Sequence, residues 1–407
     1  MAVLSEGSSP VENDAEPRGN ERRALGVAGA AHALHDGYTD LIYVLLPIWQ
    51  AEFGLAYAQV GALRGLFAGT MAGFQIPAGL LAERLGTARI LALGTALAGL
   101  GYCLAGVSSG LGVLLVALFL SGLGASTQHP LASTLVARAF SGRRSLKALG
   151  TYNFAGDIGK MTVPMAATLL IALMPWQPAL GVLGLVGVAA AFAILVLTPR
   201  VAADAPQTQS NGAVEAEPPV TPSRVGFHLL LAIGVLDSAT RMAFLTFLPF
   251  VLTAKGASLQ GIGLALSFVF AGGAAGKLVC AFIGARIGVI PTVWLTEGLT
   301  AVAILALLPL PLEPGYALLP LIGIALNGTS SVLYGSVPVL VAPDKRARAF
   351  SILYTGTIGS GALAPVLYGF VGDAFGVTTT VVVIAGVVLL TLPLALLLRS
   401  KLPADLR

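Results

Sequence analysis

SGLGASTQHPLASTLVARAFSGRRSLKALGTYNFAGDIGKMTVP, residues 121–164, joins the end of one apolar run to the start of the next through a short basic loop. The loop carries Arg138, Arg143, Arg144 and Lys147. Asp157 and Lys160 stand in the middle of the second run, three residues apart, and His129 precedes Pro130 in the first. Charge at bilayer depth is costly, so such groups line a pathway or pair with one another.

The same pattern fills the chain. Of its 407 residues 56% are hydrophobic and 10% charged, where a soluble chain carries about 25% charge; the mean hydropathy is +0.87. Fifty glycines and 24 prolines are spread through the apolar runs, and both residues are commoner in membrane helices than in soluble ones. An all-α polytopic membrane protein is therefore expected, and the pI near 9.1 does not imply a nucleic-acid partner. Cys103 and Cys280 lie in separate runs without ligand-like neighbours, so neither a disulfide framework nor a metal motif is indicated.

A crossing needs roughly 20 mainly apolar residues. Twelve segments qualify: 25–49, 59–82, 88–107, 111–136, 147–173, 178–198, 226–252, 260–284, 290–310, 315–341, 347–371 and 377–398. They group into an N-terminal six-helix half (25–198) and a C-terminal six-helix half (226–398). Residues 199–225, rich in Pro, Gln, Ser and Glu, read as a flexible linker. Residues 1–24 lack the order of features of a signal peptide and are expected to be a disordered tail; 399–407 form a second tail. Of the 23 Lys and Arg, four fall within spans (Arg64, Lys160, Arg241, Lys277) and one, Lys255, on the opposite side. All the rest lie in the tails, the linker and the loops following even-numbered spans, so both termini are expected in the cytoplasm of a cell with this protein in its inner (plasma) membrane.

The halves echo each other. Gly124-Ala-Ser-Thr in span 4 answers Gly328-Thr-Ser-Ser in span 10, and Gly156-Asp-Ile-Gly-Lys, leading to Pro164, answers Gly356-Thr-Ile-Gly-Ser, leading to Pro365. Duplicated halves place a solute site between them near the bilayer midplane.

Between spans 2 and 3 stands Gly79-Leu-Leu-Ala-Glu83-Arg84-Leu-Gly86-Thr-Ala-Arg89, with a second copy at Ala281-Phe-Ile-Gly-Ala285-Arg286-Ile-Gly288. With Glu83 for the usual acid, the first copy is similar to the Gly-x-x-x-Asp-Arg-x-Gly motif of the major facilitator superfamily, whose fold the chain resembles over nearly its whole length. The resemblance implies that Glu83, Arg84, Arg89 and Arg286 act as a cytoplasmic gate that pairs in one conformation and releases in the other; the alternative is positive-inside charge alone. Two further patterns resemble the fosmidomycin-resistance family: His32-Ala-Leu-His35-Asp36, leading to Leu46-Pro47, and Gly124-Ala-Ser-Thr-Gln-His129-Pro130 with Val136-Ala137-Arg138. That likeness implies proton-driven drug export by a monomer. This chain departs from the family at Leu131, where many members have an acid, and at Asp157 and Lys160, where several have neutral residues.

Span 1 holds the densest polar stripe. At 100° per residue His32, His35, Asp36, Thr39, Asp40 and Tyr43 fall within an arc of about 140°, facing a cavity between the halves. Asp36 with His32 is the leading proton-coupling pair, since a carboxylate and an imidazole both take up protons at accessible pH; Asp40, His35 and His129 are further candidates. Each could equally bond to a neighbour without moving protons. Asp157 with Lys160, and Asp237 with Arg241, are spaced as local ion pairs that either cancel charge or open during transport. With Arg64 and Lys277 these six are the substrate-side candidates, guanidinium and ammonium groups being suited to phosphonate or carboxylate oxygens.

The function expected is export of a small anionic or amphiphilic organic solute in exchange for protons, with no cofactor beyond the proton gradient. Uptake of a metabolite acid with protons is the first alternative and a membrane sensor the second. The pattern G-x-x-x-x-G-K-[ST] is absent, which argues against ATP-driven pumping. No nucleophile–base cluster suggests an enzyme. The partners expected are the solute, protons and the lipid bilayer.

Overall fold

Backbone amides in a bilayer find no water, so each apolar run must satisfy its own hydrogen bonds as a helix. The computed structural model describes residues 15–140, 142–199 and 222–403. Its first half contains α1 (Ala15–Phe53), α2 (Tyr57–Leu85), α3 (Thr87–Ala105), α4 (Leu111–Ala125), α5 (Gln128–Ala139), α6 (Gly142–Leu173) and α7 (Trp176–Leu197). The second contains α8 (Arg224–Ala254), α9 (Leu259–Ile287), α10 (Val289–Leu307), α11 (Leu312–Leu340), a 3-10 turn at Pro343–Lys345, α12 (Arg346–Val388) and α13 (Thr391–Arg399).

Ten helical stretches of the described residues are long and apolar enough to cross a membrane. One of them, Arg348–Arg399 at 52 residues, would measure about 78 Å as a single rod, far beyond a bilayer. It folds back at Gly376, whose φ of 83° is open to glycine and closed to most side chains. Near that turn a Cβ on Gly372 would lie 3.1 Å from the Thr380 hydroxyl. That stretch therefore holds two crossings. Together with α1, set apart from the ten by its polar stripe, they give the twelve expected.

Two differences from the sequence reading are local. α1 starts at Ala15, inside the segment expected to be a tail; residues 1–14 of that segment, and 200–221 of the expected linker, lie outside the described residues. The expected span 111–136 is one crossing but two helices, α4 and α5, interrupted at Ser126 and Thr127. Pro130 has no N–H to return to Ser126, and the ladder resumes with Leu131 donating to Thr127 at 3.2 Å.

The halves touch mainly at the end away from the basic loops. There α2 lies on α12 and α6 on α9. A Cβ on Gly65 would come within 2.7 Å of the Ala362 carbonyl, and one on Gly369 within 2.6 Å of the Ala58 nitrogen, so these crossings need glycine. Asp373 of α12 accepts hydrogen bonds from the backbone N–H groups of Tyr57 (2.6 Å) and Ala58 (3.1 Å) at the start of α2. Further along α2, Gly69 and Gly73 have open space beside them. The two halves thus close at one end and part toward the basic loops.

Candidate functional site

Asp36 is the centre of the polar cluster, and three helices supply it. His32, one turn earlier on α1, places Nε2 3.3 Å from the carboxylate. Lys160 of α6 places Nζ 3.3 Å from the same oxygen, Oδ2. His129, at the start of α5, approaches the other oxygen to 3.7 Å, and its ring meets His32 edge-on at 5.3 Å. The α4–α5 interruption sets that approach, because it re-aims the first turn of α5. His32 is fixed on its far side by the Tyr152 carbonyl, 2.9 Å from Nδ1, and by stacking on the Tyr152 ring at 4.2 Å.

Access is uneven. The side chains of Asp36 and His32 are 9% and 5% exposed, while Lys160 is 30% and His129 46% exposed. Lys160 and His129 are therefore the open flank of the buried acid. Asp40 is buried one turn further along α1, between the charges of Lys160 and Arg64. Arg64 is itself buried, lies over the Tyr43 ring at 4.9 Å, and leaves Nε and Nη1 without a partner. His35 turns away to α3, where Nε2 sits 2.9 Å from the Thr95 hydroxyl.

The expected local pairs do not form. Lys160 reaches α1 instead of its neighbour Asp157, and Asp157 takes Lys277 of α9 at 2.6 Å, an ion pair between the two halves. The reason is geometric: three-residue spacing allows contact along one helix, but a fixed opposite charge on the facing helix offers a shorter approach. Asp237 and Arg241 likewise form no ion pair; both line a narrow cleft with Ser330, Tyr334 and Thr357. Glu83, Arg84, Arg89 and Arg286 are exposed at the basic end, and among the described residues none of them is in an ion pair.

Three participants escaped the sequence reading. Tyr152 acts through its carbonyl and ring, which no spacing reveals. Asp373 lies near a helix end and looked like ordinary loop charge. Glu297 could have been found, as an acid within a span that, like Asp40, has neither a histidine nor a cation within four residues.

A two-half bundle with charge at mid-depth and a cleft open at one end is the architecture of a carrier. The sequence matches the family profile described as Major Facilitator Superfamily over residues 29–234 and again over 230–406. The chain belongs to the major facilitator superfamily. Among curated relatives of this superfamily, it is 27% identical over 389 residues to the "Fosmidomycin resistance protein" of Escherichia coli, covering 92% of this chain and 89% of that protein. It is 25% identical over 369 residues to the "Probable sulfoacetate transporter SauU" of Cupriavidus necator, covering 82% and 83%. A solved structure, that of a bacterial homologue of the human lysosomal transporter Spinster in an inward-facing, occupied conformation, superposes with a TM-score of 0.80 at 16% identity, over 98% of this chain and 99% of that one. That likeness is one of fold.

Proposed function

We propose that this superfamily member is a proton-coupled secondary transporter of a small organic solute, with Asp36 as the proton carrier. The observation that carries the reading is the convergence of His32, His129 and Lys160 on one buried carboxylate. Protonating Asp36 removes the charge that holds Lys160, and deprotonating it restores the tie. Occupancy by a proton is thereby converted into the position of a cation at the cavity wall. Alternating access follows as one half rocks against the other, with the basic end taken as cytoplasmic.

Export comes first as the direction, supported by the similarity to a resistance protein. In that mode a solute with a cationic or hydrogen-bonding group takes the proton's place at Asp36, so the two compete. Uptake is the second reading, and the Lys160–Asp36 pair is the specific observation that favours it. A proton on Asp36 frees Lys160 to hold an anion, so proton and anion load together.

The test is growth of a host stripped of its own exporters, expressing wild type or Asp36→Asn at matched membrane levels, against phosphonates, organic acids and common drugs. Protection by wild type that Asp36→Asn loses is the expected result. Equal protection by both removes Asp36 as the proton carrier. Sensitisation by wild type reverses the direction, and no effect on any compound ends the drug-export reading.

A further inference from the structure

Five acids lie within the spans, Asp36, Asp40, Asp157, Asp237 and Glu297, against four fixed cations, Arg64, Lys160, Arg241 and Lys277. In and around the first half the ledger balances. Lys160 answers Asp36, Lys277 answers Asp157, and Arg64 stands near Asp40. The surplus acid is in the second half, where Asp237 of α8 and Glu297 of α10 have only Arg241 between them.

Both are deeply buried, Asp237 at 4% and Glu297 at 2% exposure. Their carboxyl groups meet within hydrogen-bonding reach, beside the Thr329 side chain of α11. Thr329 is held in turn by Thr296 at 2.6 Å. Oε1 of Glu297 has no partner, nor has Nε of Arg241. Ionised carboxylates only accept hydrogen bonds, so contact between two of them becomes a bond only when one carries a proton. Charge gives the same count: Arg241 offsets one carboxylate, and a second bare charge at this depth is expensive. An exit exists too. Asp237 lines, with Arg241, Ser330, Tyr334 and Thr357, a cleft of about 10 Å³, room for a single water.

We propose that Asp237 and Glu297 form a carboxyl pair holding one exchangeable proton, a second protonation site in the C-terminal half, separate from Asp36. As a part of the transport cycle it rests on the proton-coupled reading above; as a proton-holding site it does not. The charged and titratable groups facing the pair are Arg241 on α8 and Tyr334 on α11. The proton passes between the pair and water in the cleft, so that one carboxylate stands beside Arg241 while the proton is bound and two when it has left.

Infrared spectroscopy of the purified, membrane-reconstituted protein tests this without any solute. Wild type should show the carbonyl stretch of a neutral carboxyl group that shifts on transfer to deuterated water. The band should be lost in Glu297→Gln and equally in Asp237→Asn, because either amide supplies the missing hydrogen-bond donor and lets the remaining acid ionise. It should persist in Asp36→Asn, which keeps this result independent of whether Asp36 carries protons. Survival of the band in either pair variant overturns the shared proton, and a band that does not respond to deuterated water overturns its exchange. Should the amide variants fail to fold, Thr329→Val decides. Losing that hydroxyl should shift the band, and an unshifted band places the neutral carboxyl elsewhere.

Discussion

At the scale of the residue, Asp36 has three basic partners and Lys160 has one charged partner, Asp36, within ion-pair distance. The asymmetry predicts what each deletion does. Lys160→Gln strips the carboxylate of its only fixed cation, whereas Asp36→Asn leaves a lysine that is 30% exposed and can turn to water. A hydrogen bond to a charged group contributes about 1.5–3 kcal/mol, so Lys160→Gln should lower the unfolding free energy of the purified protein by that order and Asp36→Asn by less. The double variant should be milder than the sum of the two, with a coupling of about 0.5–3 kcal/mol. A double-mutant cycle on thermal unfolding reads both. Additive losses would show that the 3.3 Å contact carries no coupling.

At the scale of the element, the α2–α12 crossing is where sequence and structure part company most instructively. The helices themselves were legible, because a bilayer allows apolar runs no other way to satisfy their amides. So was the His32–Asp36 pair, whose four-residue spacing is a property of one helix. The Lys160–Asp36 and Asp157–Lys277 pairs were not, because they join helices whose facing is set by packing. Nothing in the letters around Asp373 tells that its carboxylate caps the first turn of α2, on the other half of the chain, a placement favoured by the positive end of a helix dipole. Since Asp373 and the glycine at 65 hold one crossing from opposite ends, they should fail alike. Asp373→Ala removes two charge-assisted bonds, and Gly65→Val drives a branched side chain into the Ala362 carbonyl. Both should open the end away from the basic loops. A cysteine at Ala58, with Cys103 and Cys280 replaced by serine, should then react several-fold faster with a membrane-impermeant maleimide added on that side. An unchanged rate would mean that other contacts keep that end shut.

At the scale of the whole molecule, the same contacts say what must break for the cavity to change sides. The Asp373 cap and the glycine crossings close one end, Asp157–Lys277 ties α6 to α9 nearer the middle, and the exposed Glu83, Arg84, Arg89 and Arg286 wait unpaired at the other end. In the cycle proposed above, rocking exchanges the first group of contacts for a second group among the latter. Locking the closed end should therefore stop transport without abolishing access from the basic side. A cysteine pair at Tyr57 and Gly372 suits the purpose: a Cβ on Gly372 would lie 3.1 Å from the Tyr57 Cβ, a few tenths of an ångström inside the usual disulfide range of roughly 3.5–4.5 Å. Oxidised, this variant should lose transmembrane flux of whichever compound wild type moves, while that compound still protects Lys160→Cys, introduced into the same variant, from a maleimide added at the basic face. Reduction of the disulfide should restore flux, to the extent that the Lys160→Cys background retains it. Full flux in the oxidised protein would show that the halves need not part at this end, and would remove the rocking of α2 against α12 from the cycle.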